Sequence, residues 1–244
     1  MIKINHRLRS KALEIKKIAV IRNGFRDKFG IPRQSGMVEE VISEIVFEKE
    51  YRNSEALRGI EEYSHLWLLW IFSQNGQDND SSFSTTVRPP RLGGNRRVGV
   101  FATRSPFRPN MIGMSSVKLI KKKRSLSEGT VLVVSGADIM DGTPIIDIKP
   151  YIKFTDSHPD AVCGFADANA LYRLEIECCD ELLAKIDVDN RETVLKLLSC
   201  DPRPSYQNDP ERIYIMDYNG YKIYFKADGG KATVTGISKT EDIK

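Results

Sequence analysis

The apolar run HLWLLWIF at residues 65–72 is the feature that most constrains the fold of this chain. It is far shorter than the roughly 18 residues of a membrane-spanning helix, and its length suits a buried β-strand. Further strand-like segments occur on both sides of it, at 14–23, 42–50, 97–103, 113–122, 129–139 and 145–151. Before residue 155, only residues 54–64 are predicted to form a helix, with Ser54 as its N-cap. Many strands with few helices predict an open or closed β-barrel.

A change of pattern after residue 155 predicts a second domain. Residues 155–170 are polar and rich in turn-forming residues, which is typical of a linker. Two helices and then three strands are expected beyond it, at 179–186, 190–200, 212–218, 221–227 and 231–237. Asn190 is the expected cap of the second helix, and Asn219-Gly220 predicts a tight hairpin. We therefore expect a mainly β chain with an N-terminal extension, a barrel and a small α+β domain, at 1–14, 15–158 and 168–240.

Composition narrows the class of protein. The chain has 244 residues, of which 41% are hydrophobic and 29% charged, as in an ordinary globular protein and unlike a disordered one. It contains no run of 18 apolar residues, so no membrane span is expected. The three histidines and the four cysteines (163, 178, 179 and 200) fit no metal-ligand spacing. The cysteines fit no disulfide framework either, which favours a reduced, cytoplasmic protein.

Positive charge is concentrated in residues 81–127. This segment holds 11 Lys and Arg residues and no Asp or Glu, whereas the net charge of the whole chain is only +4. The run KLIKKKRS within it is by itself typical of a solvated surface. The arginine-rich part, Thr85–Asn110, differs because Pro and Gly fix its backbone and because guanidinium forks suit phosphate and carboxylate groups. We expect this part to bind a polyanion.

Two common nucleotide-binding motifs are absent from the sequence. No G-x-G-x-x-G follows a strand and no G-x-x-x-x-G-K-[ST] occurs, which argues against a Rossmann dinucleotide site and a P-loop. The residues alone therefore predict a two-domain protein that binds anions, with nucleic acid as the expected ligand.

Five motifs, in order, resemble one protein family. They are IPRQSG (31–36), LRGIEEYSHLWLLW (57–70), VRPPRLGGNRRVGVFATRSPFRPNMIGMSSV (87–117), DIMDGTPIIDIKPY (138–151) and DPRPSY (201–206). Together, over about residues 15–225, they resemble the TsaA-like or TrmO family of S-adenosylmethionine-dependent tRNA methyltransferases. The resemblance implies a β-barrel methyltransferase domain and a homodimer. It also implies methylation of the exocyclic amino nitrogen of adenine at tRNA position 37, in the anticodon loop, on a base that already carries a threonylcarbamoyl group.

The resemblance implies ten contacts to the cofactor S-adenosylmethionine. They are Pro32, Arg33, Gln34, His65, Leu66, Arg104, Asp138, Ile139, Met140 and Asp141. We expect Arg104 to pair with the carboxylate of the methionine portion. Asp138 and Asp141 are, by location alone, the candidates for a base that removes the proton of the acceptor nitrogen.

Five further residues are expected to contact tRNA. They are Arg88, Arg91, Arg108, Arg203 and Tyr206. Two prolines hold Arg203 extended, since a residue before proline avoids the helical region. We expect Arg203 to meet a phosphate or the threonyl carboxylate and Tyr206 to stack on a base. The chain departs from the family pattern at Met111, where proline is expected, and the resemblance covers neither the N-terminal extension nor the run Lys121–Arg124.

Simpler interpretations apply to several of these residues. IPRQSG and DPRPSY are also typical of rigid surface turns, and Asp141 before a glycine is ordinary turn chemistry. A histidine between large apolar residues, such as His65, is usually a hydrogen-bonded core residue. Two other functions stay open. A non-catalytic RNA-binding module would bind phosphate without a small-molecule pocket, and a small-molecule methyltransferase on the same barrel would not depend on RNA.

Overall fold

The structure is a computed structural model that describes residues 14–72, 84–89, 96–169, 172–204, 207 and 209–240. The strands are β1 (Ala19–Arg22), β2 (Ile42–Phe47), β3 (His65–Ile71), β4 (Thr86–Val87), β5 (Val98–Gly99), β6 (Ile112–Ser125), β7 (Gly129–Ser135), β8 (Pro144–Pro150), β9 (Glu175–Glu177), β10 (Tyr214–Tyr218), β11 (Tyr221–Asp228) and β12 (Lys231–Lys239). The α-helices are α1 (Lys153–Asp156), α2 (Asp180–Leu183) and α3 (Val188–Ser199). Within the described ranges, no helix has both the length and the apolar character needed to cross a membrane.

Six strands form a closed barrel in the order β1-β2-β7-β6-β3-β8. The barrel closes because β1 pairs antiparallel with both β2 and β8. The apolar run at 65–72 supplies β3, and its alternate residues Leu66, Leu68 and Trp70 are buried. They pack with inward side chains of the other strands, such as Ile45 of β2, so the barrel has an apolar core.

The C-terminal part contains a four-stranded sheet in the order β10-β11-β12-β9, in which β9 runs parallel to β12. Helix α3 packs against this sheet, and its Val194 and Leu198 share one buried cluster with Ile223 of β11. Asn219 and Gly220 both have positive φ angles, 50° and 82°, in the turn between β10 and β11. This is the tight hairpin that the Asn-Gly pair predicts.

The connection between β1 and β2, residues 23–41, packs between the barrel and the C-terminal sheet. Its Phe25 and Val41 are buried in the same apolar cluster as α3 and the C-terminal strands. At Gly30, where φ is +101°, an added Cβ would lie 2.6 Å from Cγ of Met216 on β10. The 23–41 connection therefore belongs to the C-terminal core, although it joins two strands of the barrel.

Residues 54–64 do not form the predicted helix. They form two short 3-10 turns, and the cap of the first is Asn53 in place of Ser54, since the Asn53 side chain accepts the N–H of Glu55. Gly59 separates the two turns with φ at 82°, a left-handed conformation that interrupts a right-handed helix.

Several predicted strands are shorter than expected, and two of them give way to a turn. In 97–103 the strand has two residues and is followed by the 3-10 turn Val100–Ala102. The strand predicted at 129–139 ends at Ser135, because Gly136 adopts a φ of 76° and turns the chain. After this turn the chain leaves β7, and the segment that follows lines one end of the barrel.

The C-terminal elements also depart from prediction in detail. Helix α3 begins at Val188, so Asn190 lies inside it and is not its cap. The Asn190 side chain instead accepts a hydrogen bond from the Asn219 side chain at 2.9 Å. Strand β9 was not predicted, because its three residues, Glu175–Glu177, carry a charge at each end.

Candidate active site

A cavity of about 470 Å³ lies at one end of the barrel, between the 23–41 connection, the ends of β3 and β6, and the segments after β5 and β7. Its volume is within the roughly 300–1,000 Å³ of small-molecule sites. Six residues predicted to contact the cofactor line it: Pro32, Arg33, Gln34, Arg104, Asp138 and Met140. Three separate motifs of the sequence therefore meet at this cavity.

Asp138 ends a short hydrogen-bonded chain at the cavity wall. The indole Nε1 of Trp70 donates to Oγ of Ser115 at 3.0 Å, and this hydroxyl donates to Oδ1 of Asp138 at 2.5 Å. Burial raises the pKa of Asp138, opposed by the Ser115 hydrogen bond and by the charge of Arg104. The result is an oriented carboxylate that holds a proton more readily than an exposed one.

Trp70 forms an apolar wall because its partner across the strands is a glycine. Gly113 on β6 lies opposite Trp70 on β3, and an added Cβ at Gly113 would lie 2.3 Å from the indole. The indole can thus lie flat against the neighbouring strand. Its ring centroid is 4.2 Å from that of Phe72, which also lines the cavity. The two rings are tilted by 59° to each other, and aromatic faces of this kind suit contact with a planar heterocycle.

Two arginines connect the loops around the cavity. The guanidinium of Arg104, after β5, donates to Oε1 of Gln34 and so links that segment to the 23–41 connection. Nη2 of Arg33 donates to the backbone oxygen of Arg203 at 2.8 Å, which links the same connection to the C-terminal part. Gln34 is therefore held by the segment after β5, and Arg33 by the C-terminal part of the chain.

The cavity carries an excess of positive charge. Lys28, Arg33, Arg104 and Arg108 line it, and Asp138 is the one carboxylate among the described residues that do so. Because clustered charge of one sign raises the local concentration of oppositely charged ligands, the cavity favours anionic groups. Arginine also binds carboxylate and phosphate in a directed way.

Three further predicted cofactor residues are not among the residues that line the cavity. Leu66 and Ile139 are fully buried in the apolar core. His65 begins β3, five residues before Trp70, which is roughly 16 Å along an extended strand. Its Nδ1 lies 2.9 Å from Oγ of Ser64. Contact of these three residues with the cofactor stays a prediction.

Asp141 does not line the cavity either, and its carboxylate organises a turn. Oδ1 of Asp141 accepts the backbone N–H of Asn23 at 2.9 Å, and Gly142 follows with φ at 74°. The side chain of Asn23 in turn donates to the backbone oxygen of Ile139 at 2.8 Å. Asp141 thus positions the segment that carries Asp138, the one carboxylate among the described residues that line the cavity.

The residues predicted to contact tRNA lie in different parts of the structure. Arg88 is exposed beside the small β4–β5 sheet. Arg108 lines the cavity, and its Nη1 donates to the backbone oxygen of Thr103 at 3.0 Å. Arg91 and Tyr206 lie outside the described residues.

Arg203 is not available for the contact that the sequence predicts. Only 6% of Arg203 is exposed, and its guanidinium donates to both carboxylate oxygens of Asp201, at 2.9 and 3.2 Å. Its Nη1 donates to the backbone oxygen of Ala227 on β11 at 3.1 Å. The expectation of a phosphate contact is therefore corrected: the proline-flanked loop turns this side chain inward, where it meets a buried carboxylate.

Sequence reasoning missed Ser115, Trp70 and Lys28 as parts of the site. Ser115 is a polar residue at an inward position of β6, between Gly113 and Val117, and it is buried. A polar residue at an apolar position of an alternating strand marks a hydrogen-bond requirement, so the pattern of β6 could have identified it. Lys28 has no comparable signal, because it is an exposed charge in a loop.

Family models match both parts of the chain. The model described as the tRNA-methyltransferase O N-terminal domain matches residues 20–157. The TrmO C-terminal domain model matches residues 173–240.

Relatives and solved structures agree with these matches. The Escherichia coli protein named tRNA (adenine(37)-N6)-methyltransferase is 38% identical over 219 residues, which cover 85% of this chain and 92% of that protein. A Pseudomonas aeruginosa protein named as a candidate S-adenosylmethionine-dependent methyltransferase is 38% identical, over 82% of this chain and 86% of its own length. The crystal structure of TrmO from Pseudomonas aeruginosa superposes with a TM-score of 0.73 at 28% identity, covering 93% of this chain and all of that one. The chain belongs to the TrmO family.

Proposed function

We propose that this chain transfers a methyl group from S-adenosylmethionine to the exocyclic N6 of adenine 37 in tRNA, and that its substrate base carries a threonylcarbamoyl group. The observation that carries this proposal is the cavity in which Arg33, Gln34, Arg104 and Asp138 converge. The names of the Escherichia coli and Pseudomonas aeruginosa relatives support the reaction and the methyl donor. The assignment of a threonylcarbamoyl group to the substrate base is supported by the family resemblance and by the chemistry of the acceptor nitrogen.

The lining residues fit S-adenosylmethionine. Arg104 and Arg33 can pair with its carboxylate, and the indole of Trp70 with Phe72 offers an apolar wall for its nucleoside. The negative charge of Asp138 complements its sulfonium. When bound, the cofactor supplies a reactive methyl group, and the protein supplies alignment and a shaped, water-poor site.

Asp138 is the base that this cavity offers. The amino nitrogen of adenine is a poor nucleophile because its lone pair is delocalised into the ring. A carbamoyl group on that nitrogen acidifies the remaining N–H, so a nearby carboxylate can accept the proton. Ser115 and Trp70 orient the carboxylate of Asp138 through hydrogen bonds, and burial raises its pKa, which strengthens it as a proton acceptor.

The decisive test of the function is mass spectrometry of tRNA nucleosides. We expect incubation with S-adenosylmethionine to add one methyl group to threonylcarbamoyl-adenosine of modified tRNA, and little to a matched unmodified transcript. Equal transfer to both RNAs would refute the role of the carbamoyl group. Binding of tRNA without transfer would favour an RNA-binding module, and cofactor turnover independent of RNA would favour a small-molecule methyltransferase.

The role of Asp138 predicts a pH dependence. The carboxylate must be ionised to accept a proton and its pKa is raised, so the single-turnover rate of the wild type should fall as pH falls through a value above the about 3.9 of a free Asp side chain. The variant Asp138→Asn cannot ionise and should lose about 10²–10⁴-fold in rate, together with this acidic limb.

The matched control is Asp141→Asn, since Asp141 lies outside the cavity and an amide oxygen can still accept the N–H of Asn23. It should keep the wild-type rate and pH profile. An unchanged profile in Asp138→Asn would eliminate Asp138 as the base.

Two arginines should separate cofactor binding from tRNA binding. Arg104→Ala removes a cavity guanidinium and should weaken S-adenosylmethionine by about tenfold to a hundredfold in titration calorimetry, or about 1–3 kcal/mol. Arg88→Ala, outside the cavity, should leave that affinity unchanged. It should instead weaken tRNA binding and lower the slope of log affinity against log salt by roughly one unit.

Arg88→Ala thus serves as the control for Arg104→Ala in the cofactor titration. A wild-type salt slope in Arg88→Ala would mean that this arginine belongs to a solvated face and not to the RNA surface.

We also propose that the chain acts in the cytoplasm as a homodimer. Its four cysteines are free, as in a reducing compartment. Phe101, Phe107 and Phe154 are 71%, 62% and 91% exposed, and apolar side chains of this size favour burial against a partner. Sedimentation velocity at micromolar concentration should give the mass of two chains. A single-chain mass over the whole concentration range would refute the dimer.

A further inference from the structure

The pair of Asp201 and Arg203 is a buried, bidentate ion pair in the DPRPSY motif. Asp201 is 9% and Arg203 6% exposed, and both carboxylate oxygens accept from the guanidinium. The hydroxyl of Tyr172 donates to the same carboxylate at 3.3 Å, and Ala227 of β11 accepts from Nη1 of Arg203 at 3.1 Å. Both the carboxylate of Asp201 and the guanidinium of Arg203 are thus hydrogen-bonded to other residues of the C-terminal domain.

The backbone at Arg203 holds a residue of the cavity. Its carbonyl oxygen accepts a hydrogen bond from Nη2 of Arg33 at 2.8 Å, and Arg33 lines the cavity from the middle of the 23–41 connection. A continuous path of hydrogen bonds therefore leads from Ala227 in the C-terminal sheet through Arg203 to Arg33.

The local backbone makes this path sensitive to the side chain of Arg203. Asp201 adopts a φ of 50°, an uncommon conformation for a residue with a side chain. Pro202 and Pro204 restrict the backbone around Arg203. The ion pair therefore fixes both the strained turn and the carbonyl that receives Arg33. A buried ion pair adds little net stability compared with apolar packing. We therefore attribute to the Asp201–Arg203 pair a role in fixing local geometry.

We propose that Arg203 is a positioning residue that sets the orientation of Arg33 in the cavity. Through it the C-terminal domain tunes the affinity of the barrel for the carboxylate of the methyl donor. This inference rests on the proposed function for the identity of that ligand, whereas the link between Arg203 and Arg33 stands on geometry alone.

The variant Arg203→Lys tests the link while it keeps the buried positive charge. A lysine cannot bind both Asp201 oxygens and Ala227 in the same geometry, because it lacks the planar fork. We expect about tenfold weaker binding of S-adenosylmethionine in calorimetry, with a wild-type circular dichroism spectrum. The matched control is Arg212→Lys, because the guanidinium carbon of Arg212 lies 5.3 Å from the same Tyr214 ring that Arg203 approaches at 5.9 Å. This control should bind the cofactor as the wild type does.

A double-mutant cycle distinguishes positioning from general destabilisation. If Arg203 acts through Arg33, adding Arg203→Lys to Arg33→Ala should weaken binding by no more than about twofold beyond Arg33→Ala alone. Additive losses would overturn the inference, as would wild-type affinity in Arg203→Lys.

A measurement without cofactor keeps the inference separate from the proposed function. The side-chain nitrogen–proton resonance of Arg33, assigned by its loss in Arg33→Ala, should shift in Arg203→Lys and not in Arg212→Lys. If the wild type bound no S-adenosylmethionine, the proposed function would fail and this spectrum would still decide the link. An unshifted Arg33 resonance in Arg203→Lys would overturn it.

Discussion

The 23–41 connection is the constraint on which the candidate site depends. It leaves the barrel after β1, buries Phe25 and Val41 in the C-terminal core, and returns to the barrel at β2. The side chains that it presents to the cavity, Arg33 and Gln34 among them, are held by the C-terminal domain on one side and by Arg104 on the other. The geometry of the cavity is thus set by packing between two sheets and not by the barrel alone.

The charged residues of the cavity lie in two different environments. Its arginines are placed on loops, where they can reach anionic ligands, whereas Asp138 lies against the barrel end and is oriented by Ser115 and Trp70. Burial favours the protonated form of this carboxyl group, and the charge of Arg104 favours the ionised form. These opposing influences act on a carboxyl group whose position the Ser115 hydrogen bond fixes.

The barrel strands could be predicted from the sequence because apolar alternation reports burial directly, as β3 and β6 show. The helix predicted at 54–64 from its Ser54 cap was wrong, because the left-handed Gly59 divides the segment into two 3-10 turns and Asn53 caps the first of them. For the site, resemblance located Arg33, Gln34, Arg104 and Asp138, which line the cavity.

The burial of the Arg203 side chain could not be predicted, because an arginine between two prolines is typical of a surface loop. Its burial depends on Asp201 and Ala227, the latter 24 positions away on another strand. The contact with Ala227 spans 24 positions and leaves no local pattern in the sequence, although Asp201 lies only two positions away.

The path of the 23–41 connection also bears on how such a protein can be divided. A cut in the linker after β8 separates the two domains along the chain, but it leaves Phe25, Val38 and Val41 without the sheet and helix that cover them. The barrel is therefore not an autonomous module. A graft that moves the C-terminal domain onto another barrel has to carry the 23–41 connection with it.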